Sequence, residues 1–265
     1  MTIHELEISG RSLHCVTASL QFAAPVNASA PFVDLPVSIY DARRDCTQRS
    51  LDRHGFVLAS HSSAVSDFYD AGEVREIYYP EIARFVSAVT GASFVTVFTH
   101  SVRCAPKADQ GQTGVQRPFK FVHNDYTATS GFVRAREALG AKADILAEHR
   151  FCIINVWRPI RGPVRESPLA VCDSQSVAKR DLVSVPSQDP SGRAIRIYTL
   201  AFNLEHRWSY FPMMQPDEML LFKTFDSSDD GRARFTFHSA FTDPATPPDA
   251  APRESIEVRA LAVFG

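Results

Sequence analysis

The segment F-K-F-V-H-N-D-Y at 119–126 places His123 and Asp125 two residues apart. On an extended strand two such residues project from the same face, so both side chains can reach one ion. A third ligand must then come from elsewhere in the chain, and F-T-F-H at 235–238 offers His238 at the end of another apolar run. Two imidazoles and one carboxylate on one side of a metal leave the other side open, an arrangement suited to non-haem iron(II) oxygen chemistry. The other seven histidines, His4, His14, His54, His61, His100, His149 and His206, read as structural or surface residues. His100, in F-T-H-S-V-R, is the strongest rival ligand.

Downstream of His238 the segment P-R-E-S-I-E-V-R at 252–259 opens the last apolar strand. A guanidinium holds a carboxylate through two parallel hydrogen bonds, and a serine two residues further on shares its face and adds a donor. Arg253 and Ser255 therefore suit the far carboxylate of a dicarboxylate such as 2-oxoglutarate, whose other end chelates the metal. Arg253 also fits an ordinary salt bridge at a loop end. Arg259 lies on the same face with Glu257 between, which reads as an ion pair deeper along the strand and leaves Arg259 as an alternative carboxylate clamp. Asn155 puts an amide on the strand at 150–157, where it can serve 2-oxoglutarate, the substrate or a neighbouring loop. Trp157 on the same face reads as core. Lys120, Tyr126 and Arg103 fit either a substrate entrance or the surface.

These residues need strands to carry them. Alternating segments at 3–8, 16–22, 33–40 and 55–60 are followed by a helical pattern over 63–90, broken near Pro80 and ended by Gly91. From 93 onwards short runs rich in Val, Ile, Phe, Tyr and Thr alternate with Pro, Gly, Asp and Ser clusters. Strands are expected near 93–102, 119–122, 150–157, 169–173, 195–201, 208–211, 219–225, 233–238 and 255–264, with a helical insertion at 130–149. Many short strands at even spacing predict a barrel or sandwich, so the fold class is an all-β core with helices. No linker divides the chain, which reads as one domain over 1–265, with mixed α/β support at 1–92 and the β core at 93–265.

An H-x-D pair, a distal histidine and then R-x-S resembles the iron(II)/2-oxoglutarate-dependent oxygenase superfamily with its double-stranded β-helix. More narrowly, the chain is similar to the family that includes the gibberellin desaturases and the cephamycin-pathway hydroxylase component. The matching segments include S-L-D-R-H-G-F (50–56), Y-Y-P-E-I (78–82), V-H-N-D-Y-T (122–127), I-N-V-W-R-P-I (154–160), P-L-A-V-C-D (168–173), H-R-W-S-Y-F (206–211), D-E-M-L-L-F-K (217–223), F-H-S-A-F-T-D-P (237–244) and P-R-E-S-I-E-V-R-A-L (252–261). They run in the family's order from about residue 33 onwards, with one departure at 98–103, where an aspartate is expected before the histidine. The resemblance implies a jelly-roll, cupin-like barrel that uses iron(II), 2-oxoglutarate and dioxygen. It also implies decarboxylation of the keto-acid to succinate, coupled to hydroxylation, desaturation or cyclisation of a small specialised metabolite.

Composition narrows the partners. The formal net charge is -2 and the pI near 6.5, so no broad positive field attracts nucleic acid or an anionic membrane. The cysteines Cys15, Cys46, Cys104, Cys152 and Cys172 are odd in number and form no CxxC pair, which suits reduced thiols in the cytoplasm rather than a zinc ribbon. The segment M-T-I-H-E-L-E-I-S-G reads as neither signal nor anchor, and no run approaches the roughly 18 apolar residues of a membrane span. Two other readings fit a metal-bearing barrel: a cupin-like enzyme that needs no keto-acid, and a non-catalytic small-molecule-binding barrel.

Overall fold

The computed structural model describes residues 3–8, 11–25, 28, 30–188 and 192–265. One six-stranded sheet runs in the order β1 (Ile3–Ile8), β2 (Arg11–Ala23), β3 (Phe32–Asp41), β11 (Trp208–Tyr210), β8 (Leu169–Cys172) and β13 (His238–Ala240). A second runs β4 (Phe56–Ser60), β12 (Glu218–Asp226), β7 (Arg150–Arg161), β14 (Glu254–Phe264), β5 (Phe94–Arg103) and β6 (Val115–Gln116). A separate hairpin pairs β9 (Leu182–Gln188) with β10 (Ala194–Leu200).

Strand alternation sorts the core. On β7 the residues Cys152, Ile154 and Val156 pack outward against Ile82 and Val86 of the Tyr79–Thr90 helix. Trp157 points inward and joins Phe56, Leu220 and Phe222 from its own sheet with Leu169 and Val171 from the other. Sheet faces sheet through that inner layer, while the helix covers the back of the second sheet. With both faces covered, residues 151–159 of β7 are all buried, so the stretch is apolar on both faces apart from Asn155 and Arg158 rather than alternating. The helix begins with Pro80 in its first turn and stops at Gly91, whose φ of 72° is the left-handed cap that glycine adopts without steric cost.

Four expectations need correction. The helical run opens at Ala71 rather than at 63, because Asp70 accepts from the Gly72 and Glu73 amides and caps it there. It then passes through a π-helical turn, Val74–Tyr78, before Tyr79–Thr90. The segment 119–122 is not a strand, and at 233–238 only His238 is paired, opening the short β13. β9 was not foreseen. Its sequence L-V-S-V-P-S-Q carries Pro186, and its alternate residues lie open to solvent on a two-stranded ribbon where a missing N–H is tolerated. The insertion at 130–149 divides into an α-helix, Ser130–Leu139, and a 3-10 stretch, Gly140–Ala147. Among the described residues no helix is long and apolar enough to cross a membrane.

Candidate metal centre

His123 and His238 are joined through the backbone before their side chains meet. His123 N donates to His238 O at 3.1 Å and His238 N returns the bond to His123 O at 2.9 Å, so the two face each other as a hydrogen-bonded antiparallel pair. The next residue, Asn124, makes the same exchange with Tyr198 of β10 at 2.8 and 3.2 Å. Its buried amide also donates to Tyr126 O at 2.7 Å and Thr224 O at 2.9 Å. Asn124 thereby pins the H-N-D tripeptide, and its neighbours on either side face the same space.

The donor atoms of His123, Asp125 and His238 all lie within 4.8 Å of one another, and all three residues are buried. Asp125 Oδ1 stands 3.6 Å from His123 Nε2 and 4.0 Å from His238 Nε2. Each ring is aimed by the carbonyl two residues upstream: His123 Nδ1 donates to Phe121 O at 2.8 Å, and His238 Nδ1 to Thr236 O at 3.0 Å. Protonating Nδ1 leaves the Nε2 lone pair free for a metal. Burial, reinforced by His238, pulls His123 down to about 3, and burial likewise holds His238 below the ordinary imidazole range, so both rings are neutral near pH 7. Burial acts on Asp125 in the opposite sense, but Arg259, the two histidines and Asn155 outweigh it and keep the carboxyl ionised.

The two oxygens of Asp125 have separate neighbours. Oδ1 faces the histidines, whereas Oδ2 accepts from Arg259 Nε at 2.6 Å and Asn155 Nδ2 at 2.9 Å. Arg259 is fixed in turn by Glu257 at 2.8 Å and Ser101 at 3.3 Å, which bears out the expected Glu257–Arg259 pair. Its engagement with Asp125 takes Arg259 away from the alternative role of carboxylate clamp. Asn155, expected to serve 2-oxoglutarate, the substrate or a loop, donates its amide to Asp125 and accepts at its carbonyl from Thr224 Oγ1 at 3.1 Å. Both roles depend on register, since Arg259 and Asn155 are direct partners across β14 and β7.

Ser255 lies near the start of β14 and Arg253 is the residue just before that strand, 1% and 3% exposed. Arg253 Nη1 donates to Ser167 O at 2.6 Å, and the guanidinium lies over the Trp157 ring, 5.5 Å from its centre. Among the described residues no carboxylate forms an ion pair with it, and Arg253 Nε and Ser255 Oγ are buried without a hydrogen-bond partner. Burial and the neighbouring Arg103 pull the guanidinium down to about 9, outweighing the opposite pull of Glu166 and Glu257. His100, the rival ligand, is not part of the centre. It packs at the back of the sheet, its Nδ1 2.8 Å from the Tyr79 hydroxyl. Lys120 reaches Thr242 at 2.9 Å on the exposed side, Arg103 donates to Arg117 O at 2.8 Å, and Tyr126 is buried among Phe151, Ile153 and Phe225.

Aromatic rings wall the centre. Phe119 meets His123 edge-on at 4.7 Å, Phe121 lies parallel to it at 6.0 Å, and Phe222 tilts against His238 at 4.5 Å. Phe121 and Phe222 are buried and lower the local dielectric, which strengthens every charge interaction inside, whereas Phe119 stands at the exposed rim.

A family model described as an oxidoreductase/YMDC permease-like domain matches residues 17–264. The alpha-ketoglutarate-dependent dioxygenase phiK of Fungal sp. is 36% identical over 220 residues, 81% of this chain and 79% of the relative. The chain belongs to the alpha-ketoglutarate-dependent dioxygenases. The dioxygenase is also 36% identical over 247 residues to the hydroxylase/desaturase efuI of Hormonema carpetanum, covering 85% of this chain and 82% of that one. Among solved structures it is similar to the iron and alpha-ketoglutarate-dependent endoperoxidase NvfI, with a TM-score of 0.84 and 28% identity over 95% of this chain and 98% of the other. The side chains of the dioxygenase fit both groups that such chemistry needs: three neutral or anionic donors converge on one point, and Arg253 Nε and Ser255 Oγ are buried donors of the kind a carboxylate accepts from.

Proposed function

We propose that His123 Nε2, Asp125 Oδ1 and His238 Nε2 hold iron(II), and that Arg253 and Ser255 take the far carboxylate of 2-oxoglutarate. The enzyme oxidises a small specialised metabolite by hydroxylation, desaturation or oxidative cyclisation, with dioxygen consumed and 2-oxoglutarate converted to succinate. The observation that carries this reading is the unpartnered pair, Arg253 Nε and Ser255 Oγ, buried at the start of the strand that also supplies Arg259 to Asp125. Nη1 is already engaged by Ser167, so the edge formed by Nε and Nη2 is the one left for a carboxylate. A buried cation without an anion is costly, and a bound dicarboxylate relieves that cost.

Iron(II) with a chelated keto-acid supplies an oxidant strong enough to take a hydrogen atom from an unactivated carbon. The protein contributes position and exclusion. Neutral imidazoles and an ionised carboxylate present their lone pairs without first losing a proton, and the buried Phe121 and Phe222 rings shield the two imidazoles. The architecture is read as a double-stranded β-helix forming one oxygenase domain over 1–265, supported by the two facing sheets and the likeness to NvfI. A cytoplasmic location agrees with five scattered cysteines that form no CxxC pair, and the near-neutral charge favours a small-molecule substrate over nucleic acid or membrane.

Anaerobic addition of iron(II) and 2-oxoglutarate tests the reading. The wild type is expected to develop the weak visible charge-transfer band of a chelated keto-acid, and His123→Ala and His238→Ala are expected to lose it. A band of full intensity in both variants, or substrate turnover without release of succinate, overturns it.

A further inference from the structure

Asp125 is the one member of the triad whose orientation is set by side chains rather than by a backbone carbonyl, and those side chains come from strands that contribute no ligand. Arg259 and Asn155 face each other across β14 and β7 and converge on the same oxygen, Oδ2. The register between β14 and β5 slips immediately after Arg259, where Arg259 opposes Thr99 but Ala260 opposes Val97. A bulge of this kind re-aims a neighbouring side chain, and such bulges cluster beside functional sites. Glu257, Ser101 and Thr224 then hold the two donors from behind, so neither can leave Oδ2 without abandoning a second bond.

We propose that Arg259, with Asn155, is a positioning residue that confines Asp125 to ligation through one oxygen. The inference rests on the metal reading given above. A carboxylate left free can close onto a metal with both oxygens. In a six-coordinate sphere three protein donors leave three positions, two for a chelating keto-acid and one for dioxygen, so a second aspartate oxygen would fill the last. By saturating Oδ2 with two hydrogen bonds, one of them from a cation, the pair keeps that position vacant. Arg259 thus governs access of the small oxidant rather than binding of the metal or the keto-acid.

Nitric oxide, which occupies the same vacancy as dioxygen without being turned over, is the probe. The full-length protein, anaerobic and loaded with iron(II) and 2-oxoglutarate, is titrated with nitric oxide and the paramagnetic adduct is followed by electron spin resonance. Wild type is expected to give the adduct. Arg259→Gln is expected to keep the charge-transfer band while its nitric oxide affinity falls at least about tenfold, and Arg259→Lys, which restores the charge and one donor, is expected to recover part of the loss. Asn155→Ala, which spares the Glu257–Arg259 pair, is expected to shift in the same direction by less and serves if Arg259→Gln does not fold. Wild-type nitric oxide affinity in variants that melt as the wild type does overturns the proposal. So does loss of iron from both, because the network then supports the centre as a whole. A wild type that shows no charge-transfer band fails the metal reading instead, and the two failures are distinguishable.

Discussion

Replacing Arg253 with methionine should affect folding and co-substrate binding in unlike ways. The side chain is 3% exposed, makes one hydrogen bond from its guanidinium, to Ser167 O, and has no ion-pair partner among the described residues. Methionine fills similar volume without the charge. Its cost to the metal-free fold is a Ser167 carbonyl left without a donor, roughly 1–3 kcal/mol. Against that stands relief from an unpaired buried cation, worth roughly as much. The expected net change is therefore within about 1 kcal/mol, a melting shift of at most about 2–4 °C for a chain of this size. Binding of 2-oxoglutarate loses two charge-assisted hydrogen bonds of about 1.5–3 kcal/mol each. At 1.4 kcal/mol per factor of ten, a loss of about 3–6 kcal/mol raises the dissociation constant by roughly two to four powers of ten. Anaerobic titration of the charge-transfer band at saturating iron(II) reads the affinity, and a thermal melt of the metal-free protein reads the fold. An unchanged dissociation constant together with a melting point lowered by about 8 °C or more would show that Arg253 is a packing residue, and the clamp assignment would have to be abandoned.

The remaining predictions concern the supports of the site and the metal-free fold. Ser255→Ala removes one neutral donor and should weaken 2-oxoglutarate by about fivefold, at roughly 1 kcal/mol, with the charge-transfer titration as the check. His54, His123, His206 and His238 are buried and held below the usual imidazole range, chiefly by burial. The unfolded chain takes up protons near pH 6.5 and the native state does not, so their contribution is complete above about 6.5 and drains as pH falls, toward about 3 for His123. The urea midpoint of the metal-free protein should accordingly be lower at pH 5.5 than at pH 7.5, each such ring contributing up to about 1.4 kcal/mol per pH unit, whereas equal midpoints contradict the assignment. Gly55 has φ of 87°, and a Cβ there would collide with the Thr236 and Ser174 hydroxyls, so Gly55→Ala should cost about 2–4 kcal/mol in a thermal melt. Because the Thr236 carbonyl aims His238, iron affinity should weaken as well. Gly131→Ala drives a methyl group into the Phe225 ring and should cost about 1–3 kcal/mol without altering the charge-transfer band of the folded fraction.

The convergence of His123, Asp125 and His238 was legible because a metal centre permits few residue types and a fixed spacing, H-x-D and a distal histidine. The local structure inferred around it was less so. His123 and Asp125 do share a face, but not on a strand, because residues 123 and 124 each pair with a different partner, His238 and Tyr198, and no ladder continues on either side. Apolar alternation at 119–122 reports burial of Phe121 and Val122, which a loop pressed into a core also provides. The long strands β7, β12 and β14 were visible in their runs of β-branched and aromatic residues. Asn155 and Arg259 could be seen as inward-facing polar residues, yet their common target depends on a register and a bulge that single-strand patterns do not encode. The hairpin strand β9 escaped notice because a proline and solvent-facing positions mask it.

The backbone exchange between His123 and His238 has a bearing on how the enzyme is made. The two partners lie far apart in the chain, and Arg259, which steadies Asp125, comes later still. A nascent or partly unravelled polypeptide contains all three ligands' residue types only as scattered, unaligned groups. Assembly of the centre therefore waits until β13 and β14 have been laid into their sheets, and a chain arrested before that stage has no place to hold a redox-active ion. With iron held as proposed, an incomplete molecule would thereby be kept from producing the oxidant that only the finished one can confine.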